Sequence, residues 1–188
     1  TTGAQGFLKK MKLRICIHIH LYHVDLYMSF IKHLYEYDIN FDVVITTCST
    51  DNYDIAKILF SKHVIPKLNK VYVKIVPNRG RDIAPWLIEC KNLQDKYNLF
   101  CHVHTKKSSH FAFGDEWREY LLENLISISS LNDIISVFSN NKVGIIFPPM
   151  FRDLLYFMGK NNISPLGMDG EEKKINEILK KMGTFYRI

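Results

Sequence analysis

Residues 71–87 read Val-Tyr-Val-Lys-Ile-Val, then Pro77-Asn78-Arg79-Gly80-Arg81-Asp82, then Ile83-Ala84-Pro85-Trp86-Leu87. The first part is rich in β-branched residues and reads as a strand. The second is a polar turn built around Pro77 and Gly80. The third places Ile83, Trp86 and Leu87 on one helical face, and Pro85 is tolerated there because it falls in the first turn. Strand, turn and helix in immediate succession make one β-α unit.

The chain repeats that unit. Apolar strand-like runs occupy residues 13–21, 41–47, 71–76, 99–104 and 143–147, five in all. Helical patterns lie between them at residues 24–37, 54–63 and from Asp82 onward, with a longer block at 115–139 and a last helix at 171–181. Ser130 with Asp133 suggests a capping box that restarts the long block after a break. Alternation at about 30-residue intervals predicts an α/β fold: a mostly parallel sheet of about five or more strands flanked by helices, in a three-layer nucleotide-binding sandwich. Residues 1–12 read as a linker. Residues 13–188 read as a single domain whose uncapped, strand-like end fits a chain cut from a longer protein.

Composition narrows the partners. In 188 residues, 25 Lys and Arg against 19 Asp and Glu give a net charge of +6, which favours anionic ligands. No apolar run approaches the roughly 20 residues needed to cross a bilayer. Cys16, Cys48, Cys90 and Cys101 form no CxxC pair, so they read as buried free thiols in a reducing, cytoplasmic setting. RNA-module signatures are missing, so nucleic acid is not an expected partner.

In open parallel sheets, ligands bind beyond the carboxyl ends of the strands. The first strand ends in His18, His20, Tyr22 and His23, and the second in Ser49-Thr50-Asp51. The third ends in the 77–82 turn, and the fourth in His102-Val103-His104-Thr105-Lys106-Lys107-Ser108. Arg79 and Arg81 at a helix N-terminus suit a phosphate or carboxylate, with Gly80 allowing close backbone approach. Asp82 fits either a helix cap or a ligand-hydroxyl acceptor. Lys106 and Lys107 beside hydroxyl donors suit a diphosphate leaving group, although the P-loop spacing is absent. Asp51 fits a nucleoside contact or an ordinary turn, and Trp117 a stacking platform or a core residue. His18 and His20 share one face of their strand; with no carboxylate close in sequence they read as buried, hydrogen-bonded histidines rather than metal ligands.

The segments 76–82 and 102–108, in that order and followed by Trp117-Arg118, resemble the rhamnan synthesis protein F family of bacterial polysaccharide glycosyltransferases. The resemblance runs from about Leu13 to the last residues. It implies a GT-A-like domain transferring a sugar, rhamnose from dTDP-rhamnose, to a growing cell-wall rhamnan, capsule or O-antigen chain. The implied partners are a nucleotide-sugar donor and a growing or lipid-linked glycan, with peripheral association at the inner membrane face. A non-catalytic nucleotide-sugar or glycan-binding module of the same fold is the alternative. The donor-facing set is His20, Asp51, Asn78, Arg79, Gly80, Arg81, Asp82, His104, Lys106 and Lys107, with Asp115 or Glu116 as the base. GT-A enzymes usually carry an Asp-x-Asp metal motif after the fourth strand. Here His104-Thr105-Lys106-Lys107 stands instead, so the expectation is transfer without a metal, the lysines replacing the cation.

Overall fold

The computed structural model describes residues 13–139 and 143–160. They belong to two compact units, one reaching to Pro149 and the other starting at Met150. In order, the first unit carries β1 (Ile15–His20), α1 (Tyr27–Tyr35), β2 (Phe41–Thr47), α2 (Thr50–Leu59), β3 (Leu68–Ile75), α3 (Ile83–Glu89), β4 (Leu99–His104), α4 (Gly114–Ile126) and α5 (Ile128–Phe138). The described part of the second unit carries α6 (Arg152–Lys160).

The sheet is parallel throughout, in the order β3-β2-β1-β4. The chain therefore adds strands in one direction from β1, then crosses back to place β4 on the other side. In open parallel sheets such a reversal, here at the carboxyl ends of β1 and β4, is where ligands bind. In register, His18 lies opposite His102 and His20 opposite His104, while Thr46 of β2 lies opposite His20.

Side chains alternate between the two faces. On one face Ile15, Ile17, Ile19, Val43, Ile45 and Val103 pack with Phe30 and Leu34 of α1 and with Leu122 and Ile126 of α4. On the other, Cys16 and Val44 pack with Cys90 just after α3, and Trp86 of α3 joins them. The histidines are on this second face, so polar residues alternate with the main core along β1.

Several boundaries differ from the sequence pattern. Helix α2 starts at Thr50, four residues early, because the Ser49 hydroxyl caps it by accepting from the Asn52 amide at 3.1 Å. The restart between α4 and α5 is capped by Ser127, which accepts from the Ser130 amide. Ser130 is thus not the cap; its hydroxyl donates to the Glu123 carbonyl at 2.6 Å.

The sheet has four strands among the described residues, not five or more. Residues 143–147 form no strand, and Ile145 and Phe147 are each 75% exposed. Strand-forming composition meets the local preference, but a strand also needs a sheet edge to pair with, and the pattern of one segment does not supply it. The linker expected at 1–12, the helix expected at 171–181 and the final strand-like run lie outside the described residues. All four cysteines are free, with Cys16 and Cys90 buried. Among the described residues no single helix is long and apolar enough to cross a membrane.

Candidate functional site

A continuous row of polar side chains crosses the carboxyl ends of β2, β1 and β4. His20 Nδ1 is 2.9 Å from Thr46 Oγ1, which is 3.0 Å from His18 Nε2. His18 Nδ1 lies 2.8 Å from His102 Nδ1, so one of those two nitrogens carries the proton between them. His102 Nε2 is 3.1 Å from Asp82 Oδ2, and His104 Nδ1 is 3.3 Å from the same oxygen. Trp86 stacks flat on His102, centroids 4.9 Å apart and planes within 8°. His18 and Thr46 are completely buried.

Burial disfavours the charged form of these imidazoles. It is the main cause that lowers the proton affinity of His18, to a pKa of about 3, and that of His20, His102 and His104 below the ordinary range. Asp82 opposes the shift in each of them. Its own carboxyl is held below the usual range: burial acts to raise it, but the His102 hydrogen bond and the nearby His104 outweigh that.

Asp82 is aimed at this row by an unusual turn. It occupies the N-cap position of α3 yet makes no side-chain cap bond. Gly80 has φ +76° and Arg81 φ +52°. The left-handed region is costly for arginine, and such strain gathers where a backbone is held for a purpose. A Cβ on Gly80 would lie 2.3 Å from the Ala84 Cβ, so glycine there also lets the turn close onto α3.

The loop after β4 is fastened as firmly. Thr105 Oγ1 accepts from the amides of Tyr22 and His23, at 3.0 and 2.9 Å, which ties the β4 end to the β1 end. Ser108 adopts φ +45°. Gly114 lies under the loop so closely that a Cβ would meet the Ser108 carbonyl oxygen at 2.6 Å. Arg118 donates to the Lys106 carbonyl and to Asp115.

These loops send their cations in different directions. The Lys106 amine sits over the Trp117 ring, 3.9 Å from its centroid, and within electrostatic reach of Asp82 and Arg81. Burial lowers its proton affinity first, Asp82 counters, and Arg81 adds to the lowering. Lys107 turns the other way and pairs with Asp25 at 2.7 Å. The structure thus brings His104 and Lys106 to Asp82, with Arg81 within electrostatic reach of the amine.

Asp51 is exposed in the first turn of α2, and Asn78 and Arg79 are exposed in the turn after β3. Asp115 and Glu116 begin α4. Asp115 lines a recess of about 380 Å³ together with Asp25, Lys107 and Arg118. A larger recess, about 510 Å³, lies at the amino ends of the strands. Its central carboxylate, Asp42, is occupied by Asn69, the Lys70 amide and the Tyr97 hydroxyl. It reads as a packing network remote from the strand-end chemistry.

Sequence reasoning missed His102, Thr46 and Trp86 as parts of the site. The signal was available: His-x-His occurs at the end of β1 and again at the end of β4. Two such pairs face each other only if those strands are neighbours, which is a fact of topology.

No solved structure matches the chain. Two curated proteins described as "Uncharacterized protein WxcX", from Xanthomonas campestris pv. campestris strains B100 and ATCC 33913, are similar to it. The first is 28% identical over 135 residues, covering 71% of this chain and 19% of that protein. The second is 28% identical over 127 residues, covering 67% and 18%. The chain therefore spans less than a fifth of the curated relatives it matches. The model of the family described as rhamnan synthesis protein F matches residues 3–187, nearly the whole chain. On that match the chain belongs to the rhamnan synthesis protein F family.

Proposed function

We propose that this chain is the donor-binding part of a glycosyltransferase that moves rhamnose from dTDP-rhamnose onto a growing cell-surface polysaccharide. Membership of the rhamnan synthesis protein F family places it in polysaccharide synthesis. The observation that carries the finer reading is that Lys106, from the loop after β4, stands within electrostatic reach of Arg81 and Asp82, from the turn after β3. A parallel sheet whose strand order reverses beside β1 is the arrangement that nucleotide-binding halves use, which supports a GT-A-like architecture.

In this reading Arg81 and Lys106 hold the donor diphosphate. Negative charge grows on its leaving oxygen as the glycosyl bond breaks, and cations fixed in advance stabilise that charge. Trp117 beneath Lys106 limits the freedom of the amine, so less entropy is lost when it meets the phosphate. Asp51, at the head of α2, contacts the nucleoside. Asp115 or Glu116 takes the proton of the acceptor hydroxyl. The acceptor is a growing or lipid-linked glycan, presented at the cytoplasmic face of the membrane.

Titration calorimetry of the full chain against dTDP-, UDP- and GDP-sugars tests this. Saturable binding of a dTDP-sugar, with slow release of free dTDP, is expected. Failure of every nucleotide sugar to bind would remove the reading.

A further inference from the structure

The geometry points to a second ligand: we propose that Asp82, His102 and His104 bind a divalent transition-metal ion of the zinc and cobalt type. This goes beyond the sugar-transfer reading and does not depend on it. It also departs from the metal-free expectation drawn from the missing Asp-x-Asp motif.

The three ligand atoms lie within 4.8 Å of one another, two of the separations being 3.1 and 3.3 Å. A metal with bonds of about 2.0–2.2 Å holds neighbouring ligand atoms about 3 Å apart in octahedral and about 3.4 Å apart in tetrahedral geometry. The two separations from Asp82 already match that spacing, so closure on an ion asks only for adjustment of the two imidazoles toward each other. Two imidazoles and one carboxylate suit zinc and cobalt better than manganese, magnesium or calcium, which favour oxygen ligands.

The surroundings are those of a ligand set. A histidine that binds metal through one nitrogen usually has the other fixed by an outer partner. His102 meets that pattern: its Nδ1 faces the fully buried His18, held in turn by Thr46 and His20, and Trp86 pins the ring from one side. When His102 Nδ1 donates to His18, His18 Nε2 donates to Thr46 and Thr46 donates to His20. His102 Nε2 is then left with a free lone pair beside Asp82. The same row can run in reverse, with His102 Nε2 donating to Asp82. It can thus fit its protons to a bound cation while every bond in it stays paired.

Two further features fit an ion-binding role better than a simple ion pair. Asp82 forgoes the cap of its own helix, and the turn holding it has two left-handed residues in succession, one of them arginine. The His104 side chain is 38% exposed, so one side of the cluster opens outward. An ion there keeps positions free for solvent or an anionic ligand, the mark of a reactive rather than a purely structural metal centre.

The test is calorimetry of the full, chelator-stripped chain with Zn²⁺, Co²⁺, Mn²⁺ and Mg²⁺, together with the visible absorption of the Co²⁺ form. One equivalent of zinc or cobalt should bind, manganese and magnesium far more weakly, and cobalt should show ligand-field bands of imidazole coordination. His104→Asn should weaken binding by about 10- to 100-fold or more, with circular dichroism confirming the fold. Asp82→Asn is the second variant if the first does not fold. Absence of a bound equivalent, or equal zinc and cobalt binding by the parent and the folded variant, would overturn the site. Donor titration in chelator is a separate arm. A chain that binds metal but no nucleotide sugar keeps this site and loses the transfer reading; the reverse result does the opposite.

Discussion

His18 and His102 stand opposite each other in the β1–β4 register, with their Nδ1 atoms 2.8 Å apart and their rings nearly parallel at 18°. The two strands are thus linked by a side-chain bond under the site as well as by their backbones. A ring with both nitrogens engaged and no exposure is costly to remove, because His102 and Thr46 would each lose a partner inside the protein. His18→Leu is expected to lower stability by about 2–4 kcal/mol. Urea denaturation followed by circular dichroism measures it, and a loss under about 0.5 kcal/mol would show that the row contributes little to folding.

The turn at Gly80 makes two separate demands. Its φ of +76° favours glycine, and a Cβ would collide with that of Ala84 at 2.3 Å. Gly80→Ala is expected to cost about 1–3 kcal/mol and to weaken dTDP-sugar binding, because Asp82 and Arg81 follow directly. Adding Ala84→Gly removes the collision but not the dihedral cost, so the double variant should recover binding in part. Thermal unfolding and donor titration on the same three proteins separate the two contributions. Unchanged donor affinity in Gly80→Ala would break the link between the turn and the site.

Lys106 and Lys107 are neighbours in sequence with different surroundings. Lys106 lies over Trp117 near Asp82 and Arg81, whereas Lys107 pairs with Asp25. Lys106→Ala is therefore expected to weaken nucleotide-diphosphate binding by about 10- to 100-fold, the loss of one charge-assisted bond. Lys107→Ala should change it by less than about threefold, as for an exposed pair. Equal losses from the two substitutions would mean that the loop rearranges around the donor.

The strands and their polar ends were legible in the sequence because each is a local pattern. Residues 41–47 and 99–104 became β2 and β4 with the expected bounds. Asp82 and His104 were readable as unusual residues at strand ends. Their partnership was not, because 22 positions separate Asp82 from His104 and only the crossover through α3 joins them. Residues 143–147 show the opposite limit. Their composition suits a strand, yet pairing depends on a neighbour that no single segment encodes. The divergence of Lys106 and Lys107 was hidden for a similar reason, since Asp25 and Trp117 approach the loop only in the folded chain.

His33 offers a test of which force governs a buried imidazole on the opposite face. It is buried on α1, with Glu119 and Glu123 of α4 at 3.9 and 3.6 Å, Lys32 on its own helix and Glu36 just after it. Burial lowers its proton affinity first and Lys32 adds to that, while the three glutamates oppose them; the net direction is downward. The folded chain then binds this proton more weakly than the unfolded chain does. Its contribution to stability is complete above the unfolded value of about 6.5 and declines as pH falls below it, by up to about 1.4 kcal/mol per pH unit. Against His33→Leu, which cannot take up the proton, the parent should therefore lose relative stability between pH 7 and pH 5 in parallel denaturation curves. A relative gain over that interval would mean that the glutamates outweigh burial, making the α1–α4 contact an ion pair rather than a packed neutral ring.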